Sequence, residues 1–301
     1  MEFSIIIPTW NNLELIECCI ASIRKNSTFS HEIILHVNDG SDGTLAFAEK
    51  EKAKGRLLFT HSKENSGVCF AVNLAAGLAT KPFILYLNDD MYCCPDWDSH
   101  LISYIQKFGD SPFMLSGTMI ERKDTGNPCV VVKNFGDSPK NFDEEGLLKA
   151  HANSSLNRTN WIGSTWPPIV IRKSSWELIG GFSTELFPGM SSDNDFSMKL
   201  WHSGCRIFLG VGDSLVYHFM SKSNVKIKKN AGRQQFLYKW GITQSTFDRH
   251  YLKRGTLCRG EDWLLPEPHK NLSFYKDIFR GYLKKIFSRF PKVQAPKKLT
   301  Y

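Results

Sequence analysis

In the first hundred residues, short apolar runs alternate with stretches whose apolar residues recur at helical spacing. Residues 3–8, 32–37, 56–60 and 83–87 are rich in Ile, Val, Leu and Phe, the composition of buried strands bounded by polar loops. Between them, residues 12–25, 42–54 and 67–79 place apolar side chains three and four apart. Leu13, Ile16, Ile20 and Ile23 do so in the first, and Val68, Val72, Ala75 and Ala76 in the third. This spacing gathers them on one face of a helix. Strand–helix alternation at such an interval predicts an α/β fold, a parallel doubly wound sheet covered by helices on both faces. Residues 110–160 hold no sustained period and read as irregular. Beyond them, 168–172 reads as a strand and 174–180 as a short helix. Residues 195–203 read as a helix stopped by Gly204, and 206–211 and 214–217 as two short strands.

Open α/β sheets bind ligands beyond the carboxyl ends of their strands. That rule selects three loops: Pro8-Thr9-Trp10-Asn11, Asn38-Asp39-Gly40-Ser41 and Asn88-Asp89-Asp90. Two adjacent carboxylates at a strand end repel unless water solvates them or a cation sits between them. A hard divalent ion such as Mg²⁺ or Mn²⁺, shared with a diphosphate, suits such a pair. A solvated acidic turn is the alternative on this tripeptide alone.

Five segments in order resemble the family-2 glycosyltransferases. Ile5-Ile6-Ile7-Pro8-Thr9-Trp10-Asn11 matches the family's opening strand end, and Asn38-Asp39-Gly40-Ser41-Asp42-Gly43-Thr44 its second strand end and turn. Asn65-Ser66-Gly67-Val68-Cys69-Phe70-Ala71-Val72-Asn73 fits the Asn/Gly-rich helix start. Leu87-Asn88-Asp89-Asp90 fits the DxD-like signature, and Ser192-Asp193-Asn194-Asp195 the later acidic helix start. The resemblance spans residues 3–220. It implies a GT-A, Rossmann-like, mostly parallel sheet flanked by helices with a C-terminal helical extension. Residues 1–230 would be catalytic, with 1–110 holding the nucleotide sugar and 111–230 facing the acceptor, and 231–301 would form the extension.

The same resemblance implies roles. Pro8, Thr9, Asn11, Asp39, Asn65, Gly67, Asn73, Asn88 and Asp89 would bind the donor, Asp39 accepting from a pyrimidine N–H. Asp90 would ligate Mn²⁺ or Mg²⁺, with His218 completing the metal or diphosphate site. Asp193 would be the base that takes the acceptor hydroxyl proton in an inverting displacement, with Asp195 as the other candidate. Two residues depart from the family pattern: Asn88 stands for the usual first Asp and Ser192 for the usual Glu. Without the resemblance, Asp193 and Asp195 read as first-turn helix acids and His218 as a packed side chain. Trp161, Trp166 and Trp176, with the stretch 160–166, are candidates for acceptor contacts or for core. Gly180-Gly181-Phe182 reads as a turn, and the basic run Lys222, Lys226, Lys228, Lys229, Arg233 as a lid or a solvated loop.

Composition narrows the partners. The net charge of +8 belongs to the end of the chain, since 270–301 holds nine Lys/Arg against Asp277 while the rest balances. A neutral body argues against a nucleic-acid partner. In the tail, residues 274, 275, 278, 279, 282, 283, 286, 287 and 290 form an apolar stripe beside Lys276, Arg280, Lys284, Lys285 and Arg289. That pattern suits an anionic membrane surface, where a lipid-linked acceptor would be met, or packing on the catalytic body. The eight cysteines lack zinc spacing and read as reduced thiols. No basic leader and no long apolar run occurs, so the expected location is cytoplasmic, on the cytosolic membrane face if the tail binds lipid. A NAD-dependent dehydrogenase is excluded because no G-x-G-x-x-G turn follows the first strand. An inactive sugar- or nucleotide-binding homologue and a nucleotidyltransferase stay open.

Overall fold

The structure, a computed structural model, describes residues 1–163, 165–221 and 230–293. Its first half follows the apolar pattern. Strand β1 (Phe3–Trp10) leads to helix α1 (Leu13–Asn26), β2 (Glu32–Asn38) to α2 (Thr44–Ala53), and β3 (Leu58–Ser62) to α3 (Gly67–Ala76). β4 (Phe83–Tyr86), β5 (Met91–Cys93) and α4 (Trp97–Phe108) follow. β1 pairs in parallel with β2 and β4, and β2 with β3. The side chains of β1 from Phe3 to Ile7 are buried on both faces, which is why this strand reads as a continuous apolar run.

The second half corrects the sequence reading. The stretch expected to be irregular contains β6 (Phe113–Glu121), β7 (Val130–Val132) and α5 (Glu144–Ala152). Every residue of β6 is buried. Ser116-Gly117-Thr118 breaks its apolar run, but the two hydroxyls are spent inside, on the carbonyls of Trp166, Pro168 and Val211. β8 (Trp161–Ile162), β9 (Ile169–Arg172), α6 (Lys173–Ile179) and α7 (Ser192–His202) come next. The two short strands expected at 206–217 are one strand, β10 (Ile207–His218), with a bulge between Val211 and Leu215. A bulge lets a strand absorb extra residues without leaving the sheet.

The strand order is β3-β2-β1-β4-β9-β6-β10-β5, with β7 beside β6 and β8 beside β10. β9 runs antiparallel to both β4 and β6, and β6 runs parallel to β10. Reversing direction twice brings β6 and β10 back to the sense of β4. The carboxyl ends of β1, β4, β6 and β10 therefore meet at one rim.

The chain ends in α8 (Gly232–Trp240), α9 (Gln244–Thr246) and α10 (Leu272–Phe287), with a π-helical turn at Phe247–Tyr251. All eight cysteines are free, and all but Cys18 are buried. No helix among the described residues is long and apolar enough to cross a membrane. Of the basic run noted above, 222–229 lies outside the described residues, as does Ser164.

Candidate active site

An open cleft of about 690 Å³ lies on this rim. Pro8, Thr9, Asn65, Gly67, Asn88, Asp89, Asp90, Asp193 and His218 line it, so the fold brings together nine of the thirteen residues given base, donor or metal roles in the sequence. The other four stand outside it. Asn11 and Asp39 sit just beyond the rim, both with left-handed backbone (φ 50° and 60°). The Asn11 amide donates to the Asp39 carboxylate at 2.9 Å and its oxygen accepts from Gly40 N–H at 2.8 Å. The bond from Asn11 holds the Asp39 carboxyl below its usual range, leaving it an ionised acceptor.

Asn73 and Asp195 have structural partners. Asn73 exchanges two 2.8 Å hydrogen bonds with the Phe182 backbone, fixing the Gly180-Gly181 turn. Asp195 is completely buried. Its carboxylate accepts from Ser183 and, at 2.8 Å, from Trp240 Nε1, and it pairs with Lys239 at 2.9 Å. With both oxygens engaged inside the protein, Asp195 has no path to a substrate, and of the two acids only Asp193 reaches the cleft.

The acidic end of the cleft is assembled by sheet register. β10 places His218 opposite Glu121 of β6 and opposite Met91 of β5, the residue after Asp90. His218 Nε2 lies 3.3 Å from Asp90 Oδ2, and its Nδ1 lies 3.4 Å from Glu121 Oε1. Ser221 N–H donates to Asp90 at 2.9 Å, and Asn12 donates to Asp89 at 2.9 Å. Burial lowers the basicity of His218, but the Asp90 and Glu121 carboxylates outweigh it and push the imidazole up to about 10. Burial also works against ionisation of Asp90; the His218 charge and the Ser221 N–H hold it below the usual carboxylate range. Asp89, buried beside a second carboxylate, is pushed up. Sequence reasoning missed Glu121 because it lies in the stretch read as irregular. Its signal was an acid closing an apolar run, as Asp89 and Asp90 close theirs.

Among the described residues no group of three or more His, Cys, Asp or Glu is arranged to hold a metal ion unaided. Asp90 and His218 nonetheless suit a shared ion, whose binding would displace the proton that His218 holds in the ion's absence. One carboxylate and one imidazole, 3.3 Å apart on the cleft wall, offer hard and borderline donors of the kind Mn²⁺ and Mg²⁺ accept when substrate phosphates and water supply the rest.

Asp193, in the first turn of α7, lines the same cleft. Its loop is seated on the donor side: Pro188 O accepts from Val68 N–H at 3.0 Å, and Gly189 nests on the Val68 side chain. Gly67, at φ +73°, comes so close to Phe187 that an added Cβ would lie 2.7 Å from its ring. Among the described residues no donor is bonded to the Asp193 carboxylate, and the protein mass around it pushes it up to about 7. Such a carboxyl is tuned for proton transfer near neutrality.

Of the three tryptophans considered, Trp161 and Trp176 are core. Trp161 donates to Thr118 Oγ1 at 3.1 Å, and Trp176 packs on Phe182 and Phe196. Trp166 alone of the three lines the cleft, with the Arg254 guanidinium 4.7 Å from its ring. Arg254 pairs with Asp248, which accepts from Asn194 at 3.0 Å. This brace joins the wall carrying Trp166 to the helix carrying Asp193.

A cleft at the carboxyl rim of this sheet, lined by Asp89, Asp90, His218 and Asp193, fits the GT-A class of glycosyltransferase fold. Residues 4–152, 149 of the 301, match the family described as glycosyl transferase family 2. The O-antigen biosynthesis protein RfbC of Myxococcus xanthus is 24% identical over 72% of this chain and 17% of its own length. The uncharacterized glycosyltransferase YfnE of Bacillus subtilis is 31% identical over 32% of this chain and 25% of its own. The chain thus corresponds to a minor part of each of these relatives.

Among solved structures, S. aureus TarS in complex with UDP-GlcNAc has a TM-score of 0.57 at 17% identity, covering 79% of this chain and 64% of that one. The mannosyltransferase PcManGT from Pyrobaculum calidifontis, in complex with GDP-Man and Mn²⁺, has a TM-score of 0.50 at 15% identity. It covers 95% of this chain and 70% of that one. At such identities the likeness is one of fold.

Proposed function

We propose that this chain transfers a sugar from a nucleotide-diphosphate sugar to a hydroxyl of a glycan or lipid-linked acceptor, with inversion at the anomeric carbon. The observation that carries the reading is that Asp193, with no hydrogen-bond donor on its carboxylate among the described residues, lines the same cleft as Asp90 and His218.

In this reading the donor half presents Pro8, Thr9, Asn65, Gly67 and Asn88, with Asp39, oriented by Asn11, at the outer end for the base. Asp90 and His218 would hold Mn²⁺ or Mg²⁺; when bound, its chemistry is to offset charge developing on the leaving diphosphate. Glu121 keeps the His218 ring turned toward Asp90. Asp193 accepts the acceptor hydroxyl proton as that oxygen attacks C1 and the bond from C1 to the diphosphate oxygen breaks. A single displacement by a nucleophile on the opposite face inverts the centre. Trp166 offers an aromatic face to the acceptor sugar, its orientation held by Arg254.

The test is nucleotide release from UDP-, GDP- and dTDP-linked sugars with Mn²⁺, with Mg²⁺ and with chelator, beside Asp90→Ala and Asp193→Asn. Metal-dependent release from one donor, lost in both variants, is expected. Absence of donor binding across the panel would leave a non-catalytic role or nucleotidyl transfer as the better reading.

A further inference from the structure

The C-terminal helix is packed with its polarity reversed. α10 turns Phe274, Asp277, Gly281 and Ser288 toward the body. Phe274 meets His250 and Tyr251, and Gly281 rests on Thr243 and Leu237. Asp277 accepts from Arg249 at 2.9 Å and from His250 at 3.0 Å. Outward stand Tyr275, Phe279, Tyr282, Ile286, Phe287 and Phe290, all more than half exposed, Phe287 to 84%. Half of the large apolar side chains that are exposed among the described residues fall between 272 and 293. At 100° per residue, Lys276, Arg280 and Lys284 run along one edge of this stripe.

We infer that this face of α10 is an adsorption surface for an anionic phospholipid bilayer. The occupant has to accept a row of aromatic and aliphatic groups and also satisfy the cations along its edge. Asp277, the single acid of the segment 270–293, is engaged by Arg249 and His250 and reaches only Arg280 among these cations, at 3.5 Å, so Lys276 and Lys284 have no acid of the segment beside them. A second copy of the chain would add cations beside the stripe and no acid of this segment to balance them. A bilayer with anionic headgroups answers both demands at once: the stripe enters the headgroup boundary while Lys and Arg stems extend to the phosphates.

The placement also orients the cleft. Gln234 of α8 donates to the carbonyl of Arg289, and Tyr238 donates to that of Ser288 at 2.7 Å. Gly232, at the start of α8, lies so close to the Met190 carbonyl that no Cβ would fit, and Met190 lines the cleft. The aromatic end of α10 is therefore one helix away from the cleft wall that carries Asp193. A lipid-linked acceptor, rather than a free glycan, follows if the transferase reading holds; the adsorption itself stands without it.

The experiment is sedimentation of the full chain with vesicles of phosphatidylcholine alone or with 30% phosphatidylglycerol, at about physiological ionic strength, where the surface field reaches roughly 8 Å. Wild type is expected to partition at least tenfold more strongly onto the anionic vesicles. Tyr275→Ser/Phe279→Ser/Tyr282→Ser and, separately, Lys276→Gln/Arg280→Gln/Lys284→Gln should each lose at least tenfold, at roughly fivefold per cation for the second. Leu178→Ser, an exposed apolar residue elsewhere, should lose nothing. Equal partition of wild type and the aromatic variant would overturn the inference. So would a dimer in light scattering that the aromatic variant dissolves while neither protein binds vesicles. Since no donor is present, failure here leaves the transferase reading intact, and the reverse also holds.

Discussion

Replacing Asp193 by Asn tests the site twice, because the group that would remove a proton is also held in an unfavourable state by the fold. Its carboxyl is pushed up to about 7 from 3.8 by the surrounding protein. The sign follows from proton binding. Between about pH 4 and 7 the folded protein keeps the proton that the unfolded chain has lost, so stability falls as pH rises through this window and stays lower above it. Three units correspond to an upper bound of about 4 kcal/mol. Asp193 is only half-buried, so solvent screening brings the expected cost to roughly 1–2 kcal/mol.

Asp193→Asn removes that cost. It should unfold in urea at a higher midpoint than wild type at pH 8, with the difference vanishing near pH 4. Transfer, by contrast, should fall by roughly 10²–10⁴, the usual contribution of a positioned base. In the wild type kcat/KM should drop tenfold per unit below about pH 7 and level off above it. Denaturant curves at pH 4, 6 and 8 and an initial-rate profile over the same range measure both effects. A variant that is less stable at pH 8, or that retains wild-type turnover there, would refute the assignment.

Three further outcomes follow from neighbouring contacts. Glu121→Gln keeps the shape beside His218 but removes the charge 3.4 Å from Nδ1. It should weaken Mn²⁺ binding about 10- to 100-fold, as loss of such supporting partners does, measured by titration of the protein with nucleotide diphosphate present. Gly67→Ala forces a Cβ against the Phe187 ring in a left-handed backbone and should cost about 1–3 kcal/mol. Calorimetric donor titration should show weaker binding together with the lowered Tm. Lys239→Met leaves the buried Asp195 without its cation and should cost about 3–5 kcal/mol in urea denaturation, with Lys239→Met/Asp195→Asn regaining part of the loss.

How far the sequence could be read depended on what each residue answers to. The strands at 3–8, 32–37 and 83–87 were legible because burial on both faces leaves an unbroken apolar run, and the loops after them followed from the sheet rule. β6 was not legible: Ser116, Gly117 and Thr118 look polar in sequence, and only the carbonyls they meet make them interior residues. Glu121 was lost with that strand. Asp193 and Asp195, two positions apart on one helix, are alike in sequence; their separation comes from Lys239 and Trp240, more than forty residues away, which claim only the second. The tail stripe was visible as amphipathic, yet its facing was undetermined, since either side of a helix can be the packed one.

The carboxylate of Asp195 also bears on how such a chain can be inherited in pieces. The family match ends at residue 152, which invites a picture of a shared donor module carrying interchangeable ends. Yet the helix bearing Asp193 carries, one half-turn on, a buried charge whose cation and indole donor are supplied by α8. A crossover that exchanged everything after residue 230 would have to arrive with a cation and an indole donor at those two places, or strand a charge beneath the turn that carries Asp193. The effective unit of exchange therefore runs from before α7 to beyond α8, and residues within that block change together or by point substitution that spares the pair.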